Sequence, residues 1–269
     1  MLHITGHIRQ SAWNVFFPAF VIIILIGIGF LIITNALFLG FGDFSYYLQK
    51  SRTWINFITT FWTASVATIL SMLIGIPVGY ALSRYNFPFP KLLKTLIDLP
   101  VMVPPAAIGV FLLGIFTTAP LSNITQIFGI KVEHAVPGVI VAQFTVTVSF
   151  CIRLVMASFD AVNPKYEQVA RSLGASLPRV FFNVSLPLAK NGILAGLIIV
   201  WARAAAEWES LMLFVGGIQG RTDVMPFAVY LDFVGGKLGW ALTTSLFCMV
   251  TAVASMSAVH YIGGKKRAY

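Results

Sequence analysis

Six long apolar stretches alternate with short polar connections along the chain. They cover residues 14–38, 55–83, 98–117, 136–158, 188–215 and 238–262. About 20 mostly apolar residues let a helix cross the hydrocarbon core of a bilayer, where backbone polar groups must be satisfied within the helix. Only 10% of the 269 residues are charged, against about 25% in a typical soluble domain. The sequence therefore predicts an all-α membrane protein with a six-helix transmembrane bundle.

The distribution of Lys and Arg predicts the orientation, because cytoplasmic loops carry an excess of these residues. With the amino terminus inside, the inner segments hold Arg9, Arg84, Lys91, Lys94, Arg153, Lys165, Arg171, Arg179, Lys190, Lys265, Lys266 and Arg267. The outer segments hold Lys50, Arg52, Lys131, Arg221 and Lys237. This excess predicts a multi-pass protein of the cytoplasmic membrane with both termini in the cytoplasm. The net charge of +9 then reflects this bias and contact with anionic lipid, and nucleic-acid binding is a poor explanation.

The boundaries of the apolar stretches divide the chain into three parts. Residues 1–54 form a tail, the first transmembrane helix and an external loop, residues 55–262 form the transmembrane core, and residues 263–269 form a basic cytoplasmic tail. Cys151 and Cys248 fall within spans, where they are expected to pack as small apolar residues. His3 and His7 are four residues apart, but solvated surface side chains are the favoured interpretation. No metal site or disulfide is predicted.

A polar island at residues 163–187 separates the fourth and fifth apolar stretches. Asn163 can cap a helix, and Glu167 lies in its first turn, where the helix dipole favours an anion. Gly174 can end the helix in a conformation with positive φ. A second short helix is expected to begin after Ser176. One face of the first helix is apolar and carries Tyr166, Val169, Ala170 and Leu173.

The spacing of this island is similar to the EAA loop of binding-protein-dependent ABC importer permeases. That pattern is E-A-A, three residues, G, nine residues, I, one residue, L-P. Gly174 and Leu186-Pro187 match it, Gln168 and Val169 replace the first Glu and Ala, and Glu167 stands one place earlier. The resemblance implies a coupling loop on a cytoplasmic ATPase, formed by Tyr166, Glu167, Gln168, Val169, Ala170, Arg171, Gly174, Ala175, Leu186 and Pro187. An amphipathic helix lying on the lipid surface is the alternative.

Two adjacent prolines, Pro104 and Pro105, lie inside the third apolar stretch. They remove two backbone donors and clash with the preceding turn, so the span is expected to bend there. The motif R-x-x-F-P, beginning at Arg84, and L-P-x-x-x-P-P, ending at Pro105, resemble the molybdate and sulfate branch of the same permeases. Asp98 departs from that pattern, and its simplest interpretation is a carboxylate at the membrane edge near Lys94.

Polar side chains also occur in other spans. Gln143, Thr145, Thr147 and Ser149 cover too much of the fourth span for a face toward lipid, so that helix is expected to face the bundle interior. In the second span, Gly75 and Gly79 flank Pro77, which favours close helix packing and also allows a pathway lining.

Arg203 and Glu207 are four residues apart in the fifth span. Ionisable residues at such depth are functional candidates, and an intrahelical ion pair is the alternative interpretation. The segment is similar to the R-A-L-G-E-F-G and G-R-T motifs of molybdate-type permeases, with Trp208 and Glu209 replacing Phe and Gly. The resemblance implies a translocation path or gate formed by Pro104, Pro105, Thr145, Ser149, Arg203 and Glu207.

The chain contains no G-x-x-x-x-G-K-[ST] phosphate loop, so ATP hydrolysis is expected in a separate subunit and this chain should be neither an enzyme nor a cofactor protein. The resemblance implies a methionine-importer-like (MetI-like) permease fold, a second copy of the chain, a cytoplasmic ATPase dimer and an external substrate-binding protein. The cargo it implies is molybdate or tungstate first, and sulfate second. An ATPase-independent carrier or channel, or an assembly protein, would be the alternative class.

Overall fold

The computed structural model describes residues 18–19, 21–30, 32–35, 37–38, 41–119, 132, 134–218 and 220–264. Regular secondary structure in these residues is entirely helical, as predicted. The helices are α1 (residues 21–30 and 32–35), α2 (Phe41–Leu48), α3 (Ser51–Arg84), α4 (Pro90–Met102), α5 (Pro105–Thr117), α6 (Val136–Asp160), α7 (Lys165–Ser172), α8 (Leu177–Ala205), α9 (Glu209–Phe214), α10 (Met225–Val234) and α11 (Leu238–Gly264).

Helices α3, α6, α8 and α11 are each long and apolar enough to cross a membrane, and α4 with α5 forms a fifth span if the bent pair is taken together. These helices correspond to five of the six predicted spans. The first predicted span, 14–38, lies only partly within the described residues. The histidines of the amino-terminal tail and residues 265–269 of the basic tail lie outside them.

Helix α6 lies at the centre, because it contributes to two apolar clusters. One cluster joins α6 to α5, α9 and α10 and includes Val139, Phe214 and Phe227. The other joins α6 to α3 and α8 and includes Phe159 and Ile193. Close side-chain packing on both sides of α6 holds α3, α5, α8, α9 and α10 against it.

Small residues bring α3 and α6 into close contact. A Cβ atom added to Gly75 would lie 2.5 Å from Cys151 Sγ, and one added to Gly79 would lie 2.8 Å from Val155 Cγ1 and 2.9 Å from the backbone nitrogen of Met156. Helix α3 continues through Pro77. These two glycines therefore serve close helix packing, one of the two roles that the sequence left open.

We expect Gly79→Ala to destabilise the protein by about 1–3 kcal/mol, because the added methyl group forces α3 and α6 apart. Gly114→Ala is the matched control, since a Cβ at Gly114 in α5 meets no atom within 4 Å and alanine favours a helix. Thermal unfolding in detergent should show a lower midpoint for Gly79→Ala alone. Equal midpoints for the two variants would contradict this account of the α3–α6 contact.

The fifth apolar stretch differs from the prediction at both ends. The expected second short helix and the span are one helix, α8, which passes through a π-helical turn at Phe181–Ser185. This turn ends two residues before Pro187, whose ring clashes with the carbonyl four residues back in a regular helix. Helix α8 then ends at Ala205, and the chain turns before α9 instead of continuing to residue 215. Helix α10 was not predicted, because its ten residues are too few for a span.

Candidate coupling surface and translocation path

Helix α7 presents an apolar surface to the exterior of the molecule. The exposed fractions of its side chains are 59% at Tyr166, 60% at Val169 and 83% at Leu173, and these three residues are called the α7 apolar face below. Gln168 and Arg171 are exposed beside it. Exposed apolar surface of this kind is typical of a protein or membrane contact.

Gly174 ends α7 in a left-handed conformation with a φ of 85°. Its N–H donates to Arg171 O at 2.9 Å, and the N–H of Ala175 donates to Ala170 O at 3.0 Å, the two bonds of a Schellman motif. Ala170 and Ala175 are half-buried below this turn. At the other end of α7, Asn163 Oδ1 accepts from the N–H of Lys165 at 3.0 Å. Both predicted ends of the helix are therefore present.

Glu167 points in the other direction, into the protein, and only 8% of it is exposed. Arg84 Nε donates to Glu167 Oε1 at 2.7 Å, and Tyr80 Oη donates to Glu167 Oε2 at 3.2 Å. Arg84 Nη2 also donates to Phe159 O and Val162 O, each at 2.9 Å. We call Tyr80, Arg84 and Glu167 the α7 clamp, because they tie α7 to the ends of α3 and α6.

The third span is broken where the adjacent prolines predict a bend. Helices α4 and α5 meet at 99°, with Pro104 exposed and Pro105 at the start of α5. Further along α5, a Cβ on Gly109 would lie 2.5 Å from Ser210 O. The second arm of the bend therefore packs directly on α9.

Arg203 and Glu207 form an ion pair across the end of α8, with Arg203 Nη1 at 2.8 Å from Glu207 Oε2. The other carboxylate oxygen, Oε1, accepts from the N–H and the hydroxyl of Ser210 at 3.0 and 2.9 Å. Glu207 is 2% exposed. It therefore supplies a charge-assisted cap to α9, while the Arg203 side chain remains about one third exposed.

The remaining predicted path residues, Thr145 and Ser149, lie on a different helix, α6. Thr145 is half-buried and donates to Val141 O at 2.8 Å, and Ser149 is buried. Within the described residues, neither side chain is hydrogen-bonded to Arg203 or Glu207. Gln143 and Thr147 are fully buried, which agrees with the expected interior orientation of this helix.

Residues 71–265 match the family described as binding-protein-dependent transport system inner membrane component. The chain belongs to this family. It is 28% identical, over 82% of its length and 86% of the relative's, to the molybdate/tungstate transport system permease protein WtpB of Methanocaldococcus jannaschii. It is 30% identical to the molybdenum transport system permease protein ModB of Escherichia coli, over 76% of its own length and 89% of that protein.

Solved structures of importers share the fold of this family member. A bacterial ABC transporter that imports alginate superposes with a TM-score of 0.63 at 19% identity, over 85% of each chain. An inward-facing methionine transporter gives 0.58 at 18% identity, over 78% of this chain and 93% of that chain. The predicted all-α fold of the MetI-like type and the resemblance to the molybdate and tungstate permeases are confirmed, and the described residues contain four or five of the six predicted spans. This chain is a multi-pass transport component and not an enzyme.

The structure groups the residues predicted for this permease unevenly. Eight of the ten coupling residues lie together on α7 and its terminal turn, whereas Leu186 is packed against the Phe159 cluster and Pro187 is exposed on α8. The proline bend and the Arg203–Glu207 pair are joined through α9. The residues that sequence reasoning missed are Tyr80 and Arg84, although the R-x-x-F-P motif had singled out the arginine for another reason.

Proposed function

We propose that this chain is the membrane-spanning subunit of an ATP-driven importer for molybdate or tungstate. Two copies enclose the path, a cytoplasmic ATPase dimer drives it, and an external binding protein delivers the anion. The names of the relatives and the absence of a phosphate loop from the sequence support this division of labour. ATP is used by the partner ATPase, and this chain holds no cofactor of its own. Both termini face the cytoplasm.

One observation carries the coupling role: α7 buries its carboxylate and exposes its apolar residues. The α7 apolar face lies about 100° to 160° around the helix from Glu167. The ion pair between Arg84 and Glu167 therefore fixes the rotation of α7 about its axis. The α7 apolar face is then held in one orientation, in which it can enter a cleft on the ATPase. The α7 clamp transmits movement of the α7 apolar face to α3 and α6.

The other predicted residues take supporting roles in this proposal. Gln168 and Arg171 form the polar rim of the docking surface, Ala170 and Ala175 support its turn, and Leu186 with Pro187 connects it to α8. In the path, the Pro104–Pro105 bend acts near the gate. Arg203 and Glu207 hold the start of α9 against the α5 arm of this bend, and Thr145 and Ser149 contribute polar groups from α6.

The cargo is tested by uptake of radiolabelled tungstate into vesicles that contain the assembled importer. We expect excess molybdate to compete strongly with tungstate uptake, and sulfate at the same concentration to compete weakly. The reason is that the alignments to relatives named for molybdate and tungstate transport cover most of this chain. Sulfate that competes as well as molybdate would overturn this cargo assignment and leave the permease role intact.

A further inference from the structure

A pocket of about 200 Å³ lies between α3, α4 and α6, near the ends of these helices that adjoin the coupling loop. Its polar groups are Lys94, Asp98 and Arg153. Its apolar walls are Leu82, Ile97, Ile152 and Met156. Arg153 is seven residues before the end of α6, which is about 10 Å along the helix. The pocket therefore opens at the level where the span meets the membrane surface.

The positive charges in this pocket are incompletely neutralised. Arg153 Nε lies 3.5 Å from Asp98 Oδ1, and 47% of the Arg153 side chain is exposed. A charge-assisted hydrogen bond is about 2.7–2.9 Å long, the length of the contacts that Arg84 makes with its partners. Among the residues that the structure describes, Lys94 has neither an ion pair nor a side-chain hydrogen bond. Asp98 lines the same pocket as Lys94, its predicted neighbour, and the ion pair of Asp98 is with Arg153.

Arg153 and Lys94 have unused donors and lie beside apolar side chains. An oxyanion bound there would satisfy these donors with charge-assisted hydrogen bonds. The three ionic side chains sum to one positive charge, which suits a singly charged phosphodiester. A free dianion such as molybdate would face the Asp98 carboxylate with less compensation. The apolar walls suit the glycerol and acyl carbons beside a lipid phosphate, and basic pockets between transmembrane helices are known to bind lipid headgroups.

We propose that Lys94 and Arg153 bind the phosphate of an anionic phospholipid, and that Asp98 limits the affinity of this site. The inference rests on the coupling-loop end of the protein facing the cytoplasm, as in the proposed function. It assigns to this permease a lipid site that is separate from the translocation path and from the α7 apolar face.

The test is native mass spectrometry of the full chain, titrated with phosphatidylglycerol and separately with phosphatidylcholine. We expect Arg153→Gln and Lys94→Gln each to weaken phosphatidylglycerol binding about fivefold, and Asp98→Asn to strengthen it by a similar factor. Phosphatidylcholine binding should not change. Lys190→Gln is the control, because it removes a charge from an exposed position near the same end, outside the pocket, and its effect should be smaller.

The Asp98→Asn variant separates a binding role from a structural one, since damage to the fold cannot strengthen binding. Weaker binding in Asp98→Asn, or an equal loss in Lys190→Gln, would overturn the site. Displacement of the lipid by tungstate in the wild type, absent in Arg153→Gln, would assign the pocket to free oxyanion and overturn the lipid proposal. Failure of tungstate uptake in the vesicle assay would instead contradict the proposed cargo and leave the lipid site standing.

Discussion

Arg84→Gln should abolish most ATP-driven uptake while leaving a folded permease in the membrane. The Arg84 and Glu167 side chains are only 9% and 11% exposed, and removing one partner of a buried ion pair costs about 3–5 kcal/mol. This loss falls at the attachment of α7 to α3 and α6, at the edge of the apolar cluster that contains Phe159, and leaves the side-chain packing of that cluster in place. We therefore expect the ATPase to hydrolyse ATP with little transport, measured as anion taken up per ATP consumed.

Companion variants rank the contacts of the α7 clamp. Glu167→Gln should be milder than Arg84→Gln, because it leaves the two bonds from Arg84 to Phe159 O and Val162 O in place. The double exchange Arg84→Glu with Glu167→Arg should restore uptake only in part, since it restores the ion pair but not those carbonyl bonds. Normal coupling in Arg84→Gln would show that the clamp does not transmit movement.

A second buried ion pair provides the control for these variants. Arg52 Nη1 lies 2.9 Å from Asp232 Oδ1, with side chains 16% and 4% exposed, and it lies near the opposite end of α3. Arg52→Gln should lower the thermal midpoint without changing the ratio of uptake to ATP consumed. A similar loss of coupling in Arg52→Gln would mean that general destabilisation, and not the α7 clamp, causes the effect.

Gly174→Arg should prevent the ATPase from co-purifying with the permease. Gly174 has a φ of 85°, which costs a residue with a Cβ about 1–2 kcal/mol, and a Cβ there meets no atom within 4 Å. The arginine side chain would therefore extend freely beside Leu173, placing bulk and charge at the edge of the α7 apolar face. The measurement is vanadate-sensitive ATP hydrolysis in the affinity-purified complex.

Gly174→Ala is the matched control, because alanine experiences the same backbone strain without the long charged side chain. It should retain most of the ATPase. Equal loss in both variants would identify the backbone of the Schellman turn as the essential feature, and retention in both would contradict the docking surface. An absence of any co-purifying ATPase from well-folded wild-type protein would favour the carrier alternative.

Several features could be predicted because their causes lie within a few residues. Consecutive apolar residues determine where a helix can cross a bilayer, and spans 55–83, 136–158 and 238–262 correspond to α3, α6 and α11. The missing donors of Pro104 and Pro105 break the third span. The end of α7 at Gly174 follows from the conformational freedom of glycine. Each of these features depends on backbone chemistry that neighbouring residues already determine.

The features that sequence reasoning missed depend on contacts between distant segments. Neither glycine nor proline marks the end of α8 at Ala205, and the turn there places Ser210 of α9 against Gly109 of α5. Asp98 lies four residues from Lys94, yet it pairs with Arg153 on another helix.

The sequence by itself determined that this chain is a helical membrane protein with a short polar helix ending at Gly174, because hydrophobic length and turn chemistry are local properties. Only the tertiary structure decided which side of α7 is buried. Arg84 and Glu167 are 83 residues apart, and they meet because close packing of α3 on α6 brings the ends of those helices beneath α7. The choice of partner for a buried charge depends on that packing, which no local pattern encodes.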